Sequence, residues 1–230
     1  MCQNHRSIHL SILVTTSSFK PHLSLTVLFL ILSAIVTLHT LLKDRIATAL
    51  ILLLCFFCHT QHSLPYINVD TRFLVINHPW YKSANRIALY MSTDQEVDTA
   101  PIISHILGRG ASAFVPQYAG GHMKMLKMLD GDEEHMIVTK DGIAQHGKSQ
   151  TREDALECGG LDLIIAPGLA FTKTGLRLGH GGGYYDKYLA KVRANSCNTK
   201  VIALAFNCQM CPDIPVEDID QNMDEIISVN

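Results

Sequence analysis

The stretch Arg177-Leu-Gly-His-Gly-Gly-Gly-Tyr-Tyr-Asp-Lys-Tyr188 decides the fold of this chain. It follows a mostly apolar run, Leu161-Asp-Leu-Ile-Ile-Ala166, and a turn at Pro167 and Gly168. After the glycines, apolar side chains recur at helical spacing, at Tyr184, Tyr188, Leu189 and Val192. This pattern predicts a strand, a glycine-rich loop and a helix, in that order.

The glycines of this loop predict an anion site. Glycine tolerates backbone angles that a side chain forbids, so successive N–H groups can point into one concavity. The start of the following helix adds unpaired N–H donors and the positive end of a dipole. Phosphate is the usual ligand of such a site, and a flexible structural turn is the alternative. The loop lacks the Gly-Lys-Ser/Thr ending of a Walker motif, and its alternating glycines differ from the dinucleotide-binding fingerprint.

Strands alternate with helices through residues 72–230. The apolar patterns predict strands over residues 86–92, 111–116, 124–129, 161–166, 200–206 and 225–229. They predict helices from Asp98 or Thr99 to about Leu107 and over residues 184–193, and a long polar loop over residues 130–155. This order predicts an α/β fold of three layers, a mostly parallel central sheet with helices on both faces. Ligands of such sheets lie beyond the carboxyl ends of the strands, where the glycine loop begins.

Composition excludes several classes of function. The 230 residues carry a net charge of −2, so the chain has no electrostatic footprint for nucleic acid. Seven cysteines, an odd number, do not form a disulfide framework. A joint zinc site of the two Cys-x-x-Cys pairs is disfavoured because Cys55 and Cys58 lie in an apolar run. Reduced thiols in a cytosolic compartment are the simpler interpretation.

Residues 1–71 form an atypical N-terminal segment. An uncharged run from Leu23 to Leu42 is long enough to cross a bilayer as a helix, and a shorter apolar run extends from Ile46 to Cys58. A membrane anchor is one interpretation. A cleaved signal peptide fits less well, since the apolar region is long and starts late. The third is that this segment does not belong to the working protein, because the start was assigned incorrectly.

Charged residues around the loop favour phosphate chemistry. Arg177 can clamp phosphate oxygens through two hydrogen bonds, or it is a solvated surface arginine. Asp186 either complements the helix dipole or holds Mg²⁺ between itself and a polyphosphate, because a bare carboxylate would repel the phosphates. If Asp186 holds a metal ion, a second ligand is expected from another loop. The candidates are Asp218, Asp220 and Asp224, which alternatively form an exposed acidic turn.

Aromatic and polar side chains near the loop indicate a flat heterocyclic ligand. Tyr184 and Tyr185 can stack on a ring or pack in the core, whereas Tyr188 is predicted to be core. Glu96 follows a predicted strand and can accept two hydrogen bonds from an amino-pyrimidine edge. His180 can donate to phosphate or be merely exposed.

The residues quoted above resemble the signature of the 5-formyltetrahydrofolate cyclo-ligase (methenyltetrahydrofolate synthetase) family. The resemblance is carried by the run from Leu161 to Phe171 and by Gly175 to Asp186. Further matching elements are residues 86–99, 114–116, 122–123, 152–156 and 203–206, and the spacing of Asp220 before Asp224. The resemblance covers about residues 72–230.

The resemblance implies an ATP- and Mg²⁺-dependent ligase. Such enzymes convert 5-formyltetrahydrofolate to 5,10-methenyltetrahydrofolate and release ADP and phosphate. By matching position, ATP would be held by Arg177, Leu178, Gly179, His180, Gly181, Gly182, Gly183, Tyr184 and Tyr185. The folate would be held by Met91, Glu96, His180, Gly181, Gly182, Gly183 and Tyr184. Mg²⁺ would be held by Asp186 and Asp220, and no catalytic residue is assigned.

The chain departs from the family pattern at several positions. The family's basic N-terminal helix, which reaches the ATP phosphates, is replaced by the apolar segment. His180 stands where Arg or another polar residue is common. Thr172 replaces the usual Asp after Phe171, and Gln117 replaces a basic residue. Taken together, the sequence predicts a monomeric cytoplasmic enzyme that acts on a folate and ATP. The alternative location is the membrane, with the N-terminal apolar segment as the anchor. The alternative function is a non-catalytic folate- or nucleotide-binding relic.

Overall fold

The structure, a computed structural model, describes residues 71–140, 142–196 and 198–229. The helices are α1 (Thr71–Asn77), α2 (Pro79–Ser83), α3 (Ala100–Gly108) and α4 (Tyr184–Asn195). The strands are β1 (Arg86–Leu89), β2 (Ser112–Ala119), β3 (His122–Met128), β4 (Ile137–Val138), β5 (Ala144–Gln145), β6 (Leu163–Ala166), β7 (Ala170–Phe171), β8 (Arg177–Leu178), β9 (Lys200–Phe206) and β10 (Glu225–Val229). Two 3₁₀ turns cover Asp132–His135 and Asn207–Gln209. The two apolar N-terminal runs lie outside the described residues.

A six-stranded sheet in the order β10-β9-β6-β1-β2-β3 forms the centre of the molecule. Every neighbouring pair is parallel except β2 and β3, which are antiparallel. The short pairs β4–β5 and β7–β8 are separate hairpins. The prediction of a mostly parallel α/β sheet is confirmed.

The direction of the chain reverses in the middle of this sheet. From β1 the chain passes through α3 to β2, and from β6 it passes through α4 to β9, which lies in the opposite direction along the sheet. Crossovers of this kind are almost always right-handed, so the two helices lie on opposite faces. β1 and β6 are therefore the strands at the switch point, where such folds bind their ligands.

Fully buried aliphatic side chains form the core. Strand β6 is buried along its whole length and β9 at every residue except its two ends, as a parallel sheet covered on both faces requires. Helix α3 contributes Ile102, Ile103 and Ile106, and α4 contributes Tyr188, Leu189 and Val192. The prediction that Tyr188 belongs to the core is confirmed, since it is 2% exposed.

The boundaries of several elements differ from the predictions. Strand β2 extends to Ala119, and Gly120 and Gly121, both with positive φ, form a two-residue hairpin turn into β3. Thr99 precedes α3, but its hydroxyl donates to the Tyr90 carbonyl, and the carboxylate of Asp98 accepts from the Ala100 N–H instead. The expected loop over residues 130–155 contains the β4–β5 hairpin and a 3₁₀ turn.

Three elements were not predicted. Helices α1 and α2 precede β1, in a stretch for which no element was predicted. The β7–β8 hairpin lies between β6 and the glycine loop, so the loop does not follow its strand directly. Within the described part of the chain, no helix combines the length and apolar composition needed to span a bilayer.

Candidate active site

A cavity of about 920 Å³ lies at the switch point of the sheet. Residues 90–96, which follow β1, form one wall, and residues 167–169, which follow β6, form another. The glycine loop and the start of α4 close the third side. The structure therefore brings together the segments that contain most of the predicted site residues.

The glycine loop leaves β8 at Leu178 and enters α4 at Tyr184. Gly183 directly precedes the helix with φ of 60°, and no side chain caps the helix start. A Cβ at Gly179 would lie 2.9 Å from Nη1 of Arg177, so a side chain there would require the guanidinium to shift. The first N–H groups of α4 are thus available at the cavity wall, as an anion site requires.

Arg177 and Asp186 form a buried ion pair beneath the loop. Nη2 of Arg177 donates to Oδ2 of Asp186 at 2.7 Å, and the two side chains are 4% and 8% exposed. Nη1 donates to the Pro167 carbonyl, while Nε is buried without a hydrogen-bond partner among the described residues. The interpretation of Arg177 as a solvated surface arginine is wrong, because its partner on the first turn of α4 holds it inside.

The candidate metal ligands lie on two adjoining segments. Oδ1 of Asp186 accepts from the backbone N–H of Gln221, which brings the neighbouring Asp220 toward it. Asp220 itself accepts from the N–H of Glu217 at 2.7 Å. Asp224 is bound to the N–H of Val201 at the start of β9, so its carboxylate stabilises the strand.

These carboxylates fit a metal that also binds phosphate. Among the described residues, no group of three or more histidines, cysteines or acids is placed to hold a metal ion. Two carboxylates together with phosphate oxygens and water are, however, the set that Mg²⁺ usually takes. Each oxygen of Asp186 keeps a second lone pair beyond the hydrogen bond that it accepts.

Glu96 lies on the opposite wall, in the turn after β1. Its Oε2 accepts from both the N–H and the hydroxyl of Thr93, at 3.0 and 2.9 Å. Both hydrogen bonds use the same oxygen, so Oε1 remains for a ligand in the cavity. Met91 lines this wall and packs partly against the core.

Aromatic side chains cover the space between the two walls. The ring of Tyr184 meets that of Tyr118 edge to face, with centroids 5.1 Å apart. Burial and the nearby Glu96 carboxylate raise the pKa of Tyr118 to about 12, so its phenol stays protonated at neutral pH. Tyr185 is buried against Arg177 and packs into the core, whereas His180 is exposed at the tip of the loop.

The sequence did not identify three residues of the cavity wall. Tyr118 lines it from the end of β2, and Thr93 orients Glu96. Gln209 also lines it, and its amide donates to the carbonyls of Gly168 and Leu169. Only Tyr118 carried a usable signal, as an aromatic residue two positions after the strand predicted over residues 111–116.

Two of the departures from the family pattern serve the local structure. The amide of Gln117 donates to the carbonyls of His146 and Gly147, which ties β2 to the loop after β5. The hydroxyl of Thr172 accepts from the N–H of Leu176 and closes the turn between β7 and β8.

The fold and the cavity define an α/β protein with a ligand-sized site between a glycine loop and a strand-end turn. The chain belongs to the 5-formyltetrahydrofolate cyclo-ligase family, whose model matches residues 70–229. It is 41% identical over 157 residues to the 5-formyltetrahydrofolate cyclo-ligase of Mus musculus, covering 66% of this chain and 77% of the mouse protein. It is 35% identical over 158 residues to a probable 5-formyltetrahydrofolate cyclo-ligase of Caenorhabditis elegans, covering 66% of this chain and 77% of the relative. The solved 5,10-methenyltetrahydrofolate synthetase of Aquifex aeolicus shares the fold, with a TM-score of 0.57 at 24% identity, covering 69% of this chain and 76% of that one.

Proposed function

We propose that this chain converts 5-formyltetrahydrofolate to 5,10-methenyltetrahydrofolate, using ATP and releasing ADP and phosphate. One observation carries the proposal beyond family membership. A single cavity at the switch point is bordered by the glycine loop on one side and by Met91 and Glu96 on the other. A nucleotide and a folate can therefore meet in one site.

The ATP phosphates lie, in this proposal, against the glycine loop and the start of α4. The backbone N–H groups of Gly179, Gly181, Gly182 and Gly183 supply donors that carry no side chain of their own, and the helix start adds its positive dipole. Arg177 lies directly beneath and supplies a guanidinium. His180, Tyr184 and Tyr185 line the same wall, and Leu178 is the last residue of β8 before the loop.

The folate pterin lies against the opposite wall. Oε1 of Glu96 accepts from its amino-pyrimidine edge, and Thr93 fixes the carboxylate for that contact. Met91 and the Tyr184 ring cover the faces of the pterin. The Tyr118 phenol is protonated at neutral pH and can donate a hydrogen bond to a ligand oxygen.

The residues of the chain act by positioning the two substrates. The formyl oxygen attacks the γ-phosphate and ADP leaves; N10 then adds to the activated carbon and phosphate leaves. Catalysis of this kind depends on orientation and on stabilising negative charge, and it needs no covalent nucleophile from the protein. Asp186 and Asp220 would hold Mg²⁺, which would neutralise charge on the phosphates.

We further propose that residues 72–230 form the catalytic domain and that it acts as a monomer in the cytoplasm. The family match over residues 70–229 supports the boundary. The exposed Cys158 thiol supports a reducing compartment.

The test is a turnover assay with the purified chain, 5-formyltetrahydrofolate, ATP and Mg²⁺, in which absorbance of the methenyl product is followed. Glu96→Gln keeps the shape but loses the carboxylate, so we expect KM for the folate to rise at least about tenfold, the effect of one charged hydrogen bond. Glu133→Gln, an exposed glutamate on the 3₁₀ turn away from the cavity, is the matched control. Binding of both substrates without product would refute the enzymatic function.

A further inference from the structure

The cavity is poor in positive charge for a site that binds a polyphosphate. Among the described residues that line it, Asp94, Glu96 and Asp186 are carboxylates. Arg177 is the one lysine or arginine in this described lining, and Asp186 already binds its Nη2. Another cation close to the glycine loop would therefore increase the affinity for ATP.

Lys187 supplies a cation at the edge of the loop. It is the exposed fourth residue of α4, one helical turn after Gly183. Its side chain folds back over Gly183, so that Cε and Nζ lie 3.7 and 3.9 Å from the position of a Cβ on that glycine. Helical side chains lean toward the N-terminus of their helix, which explains this direction.

This position is electrostatically unfavourable without an anion. The ammonium lies at the positive end of the α4 dipole, where cations are disfavoured and anions are stabilised. Lys187 forms no ion pair with any other residue of the described ranges. A phosphate at the helix start would remove the conflict, because both the dipole and the ammonium attract it.

The guanidinium of the neighbouring Arg177 is already engaged inside the protein. Arg177 is 7% exposed, lines the cavity beneath the loop, and its Nε has no hydrogen-bond partner among the described residues. Nη2, which lies on the same edge of the guanidinium as Nε, already pairs with Asp186, whereas the Lys187 ammonium has no such partner among the described residues.

We propose that Lys187 is a phosphate-binding residue of the ATP site, closing the glycine loop from the side of α4. This proposal rests on the proposed function, since it names a further residue that binds the same nucleotide. The ammonium donates to phosphate oxygens and contributes to the affinity for ATP but not to recognition of the adenine or the folate.

The experiment measures binding of a non-hydrolysable ATP analogue and of AMP by calorimetry with the full chain. For Lys187→Met we expect the Kd of the ATP analogue to rise at least about tenfold, the effect of one charge-assisted hydrogen bond, while the Kd of AMP changes much less. Lys187→Arg keeps the charge and should retain most of the affinity. Raising the salt concentration should narrow the difference between wild type and Lys187→Met.

Lys191→Met is the matched control. Lys191 is an exposed lysine on the same helix, one turn further from the loop, so its loss should leave the Kd unchanged. Equal affinity of wild type and Lys187→Met for the ATP analogue would overturn the proposal. An equal loss for Lys191→Met would also overturn it, because the effect would then come from net charge alone.

Turnover separates this proposal from the proposed function. If wild type binds the ATP analogue, Lys187→Met weakens that binding and no methenyl product forms, then the function fails while the role of Lys187 stands. If wild type binds neither the ATP analogue nor inorganic tripolyphosphate, the role of Lys187 fails too. In an active enzyme, Lys187→Met should raise KM for ATP and leave KM for the folate unchanged.

Discussion

Removal of the Asp186 carboxylate should destabilise the fold as well as affect metal-dependent turnover. The pair with Arg177 is short, at 2.7 Å, and both side chains are more than 90% buried. Removing one partner of a buried pair costs about 3–5 kcal/mol, because the other charge is left without compensation. The lost hydrogen bond from the Gln221 N–H adds about 1 kcal/mol. Against a typical domain stability of about 5–15 kcal/mol, Asp186→Ala should lose a large part of the total.

Urea unfolding followed by the fluorescence of Trp80, the single tryptophan, measures this loss. Asp186→Asn is the companion variant, because it can still accept from the Gln221 N–H while lacking the charge. The double variant Arg177→Met with Asp186→Leu removes both charges, so its free energy of unfolding should be closer to that of wild type than that of Asp186→Ala. If Asp186→Ala lowers the free energy of unfolding by less than about 1 kcal/mol, the buried pair is refuted.

The stability measurement also decides how activity is interpreted. We expect Asp186→Ala to abolish Mg²⁺-dependent turnover, and near-normal turnover would remove Asp186 from the metal site. If Asp186→Asn is stably folded and still inactive, the loss is due to the missing carboxylate rather than to unfolding. The double variant should be folded and inactive, because it lacks both the carboxylate and the Arg177 guanidinium.

Two further predictions concern the surroundings of the site. Gly175→Ala should strongly lower the free energy of unfolding, because φ is 92° and a Cβ would lie 2.5 Å from the Met223 carbonyl oxygen. Gly108→Ala, in open space at the end of α3, is the control. Equal urea midpoints for Gly175→Ala and wild type would contradict the clash. The hydrogen bonds from Arg152 hold the pKa of Asp132 below its usual range, so their contribution is present above about pH 4 and is lost as the pH falls through the lowered pKa. Asp132→Asn should therefore be less stable than wild type at neutral pH, with a difference that shrinks on acidification; a constant difference in urea unfolding from pH 6 to pH 3 would contradict this pairing.

The sequence predicted the parts of the fold whose signals are local. The glycine loop and α4 follow from backbone requirements and helical spacing within a dozen residues. Strands β6 and β9 are continuous apolar runs, as buried parallel strands are. The hairpin of β7 and β8 was missed because two-residue strands carry no periodicity.

The sequence did not predict the contacts within the site, because these contacts depend on tertiary structure. Arg177 and Asp186 are nine residues apart and meet because the loop between them folds back. Neither residue type alone distinguishes a buried pair from two surface charges. Thr93 and Gln209 were missed for the same reason, since their hydrogen bonds give them a role in the site that their local sequence does not show.

The Arg177–Asp186 pair explains how a carboxylate can lie beneath a loop that is proposed to bind phosphate. A lone Asp186 would repel a polyphosphate, and a lone Arg177 would be a costly buried charge in the absence of a ligand. In the ion pair, the two side chains stabilise each other, and together they carry no net charge beneath the loop. A ligand that carries both a phosphate and a divalent cation offers a partner to each of them, whereas a bare phosphate offers one only to Arg177. On the proposed function, the buried pair therefore favours the metal complex of a nucleotide over the free nucleotide.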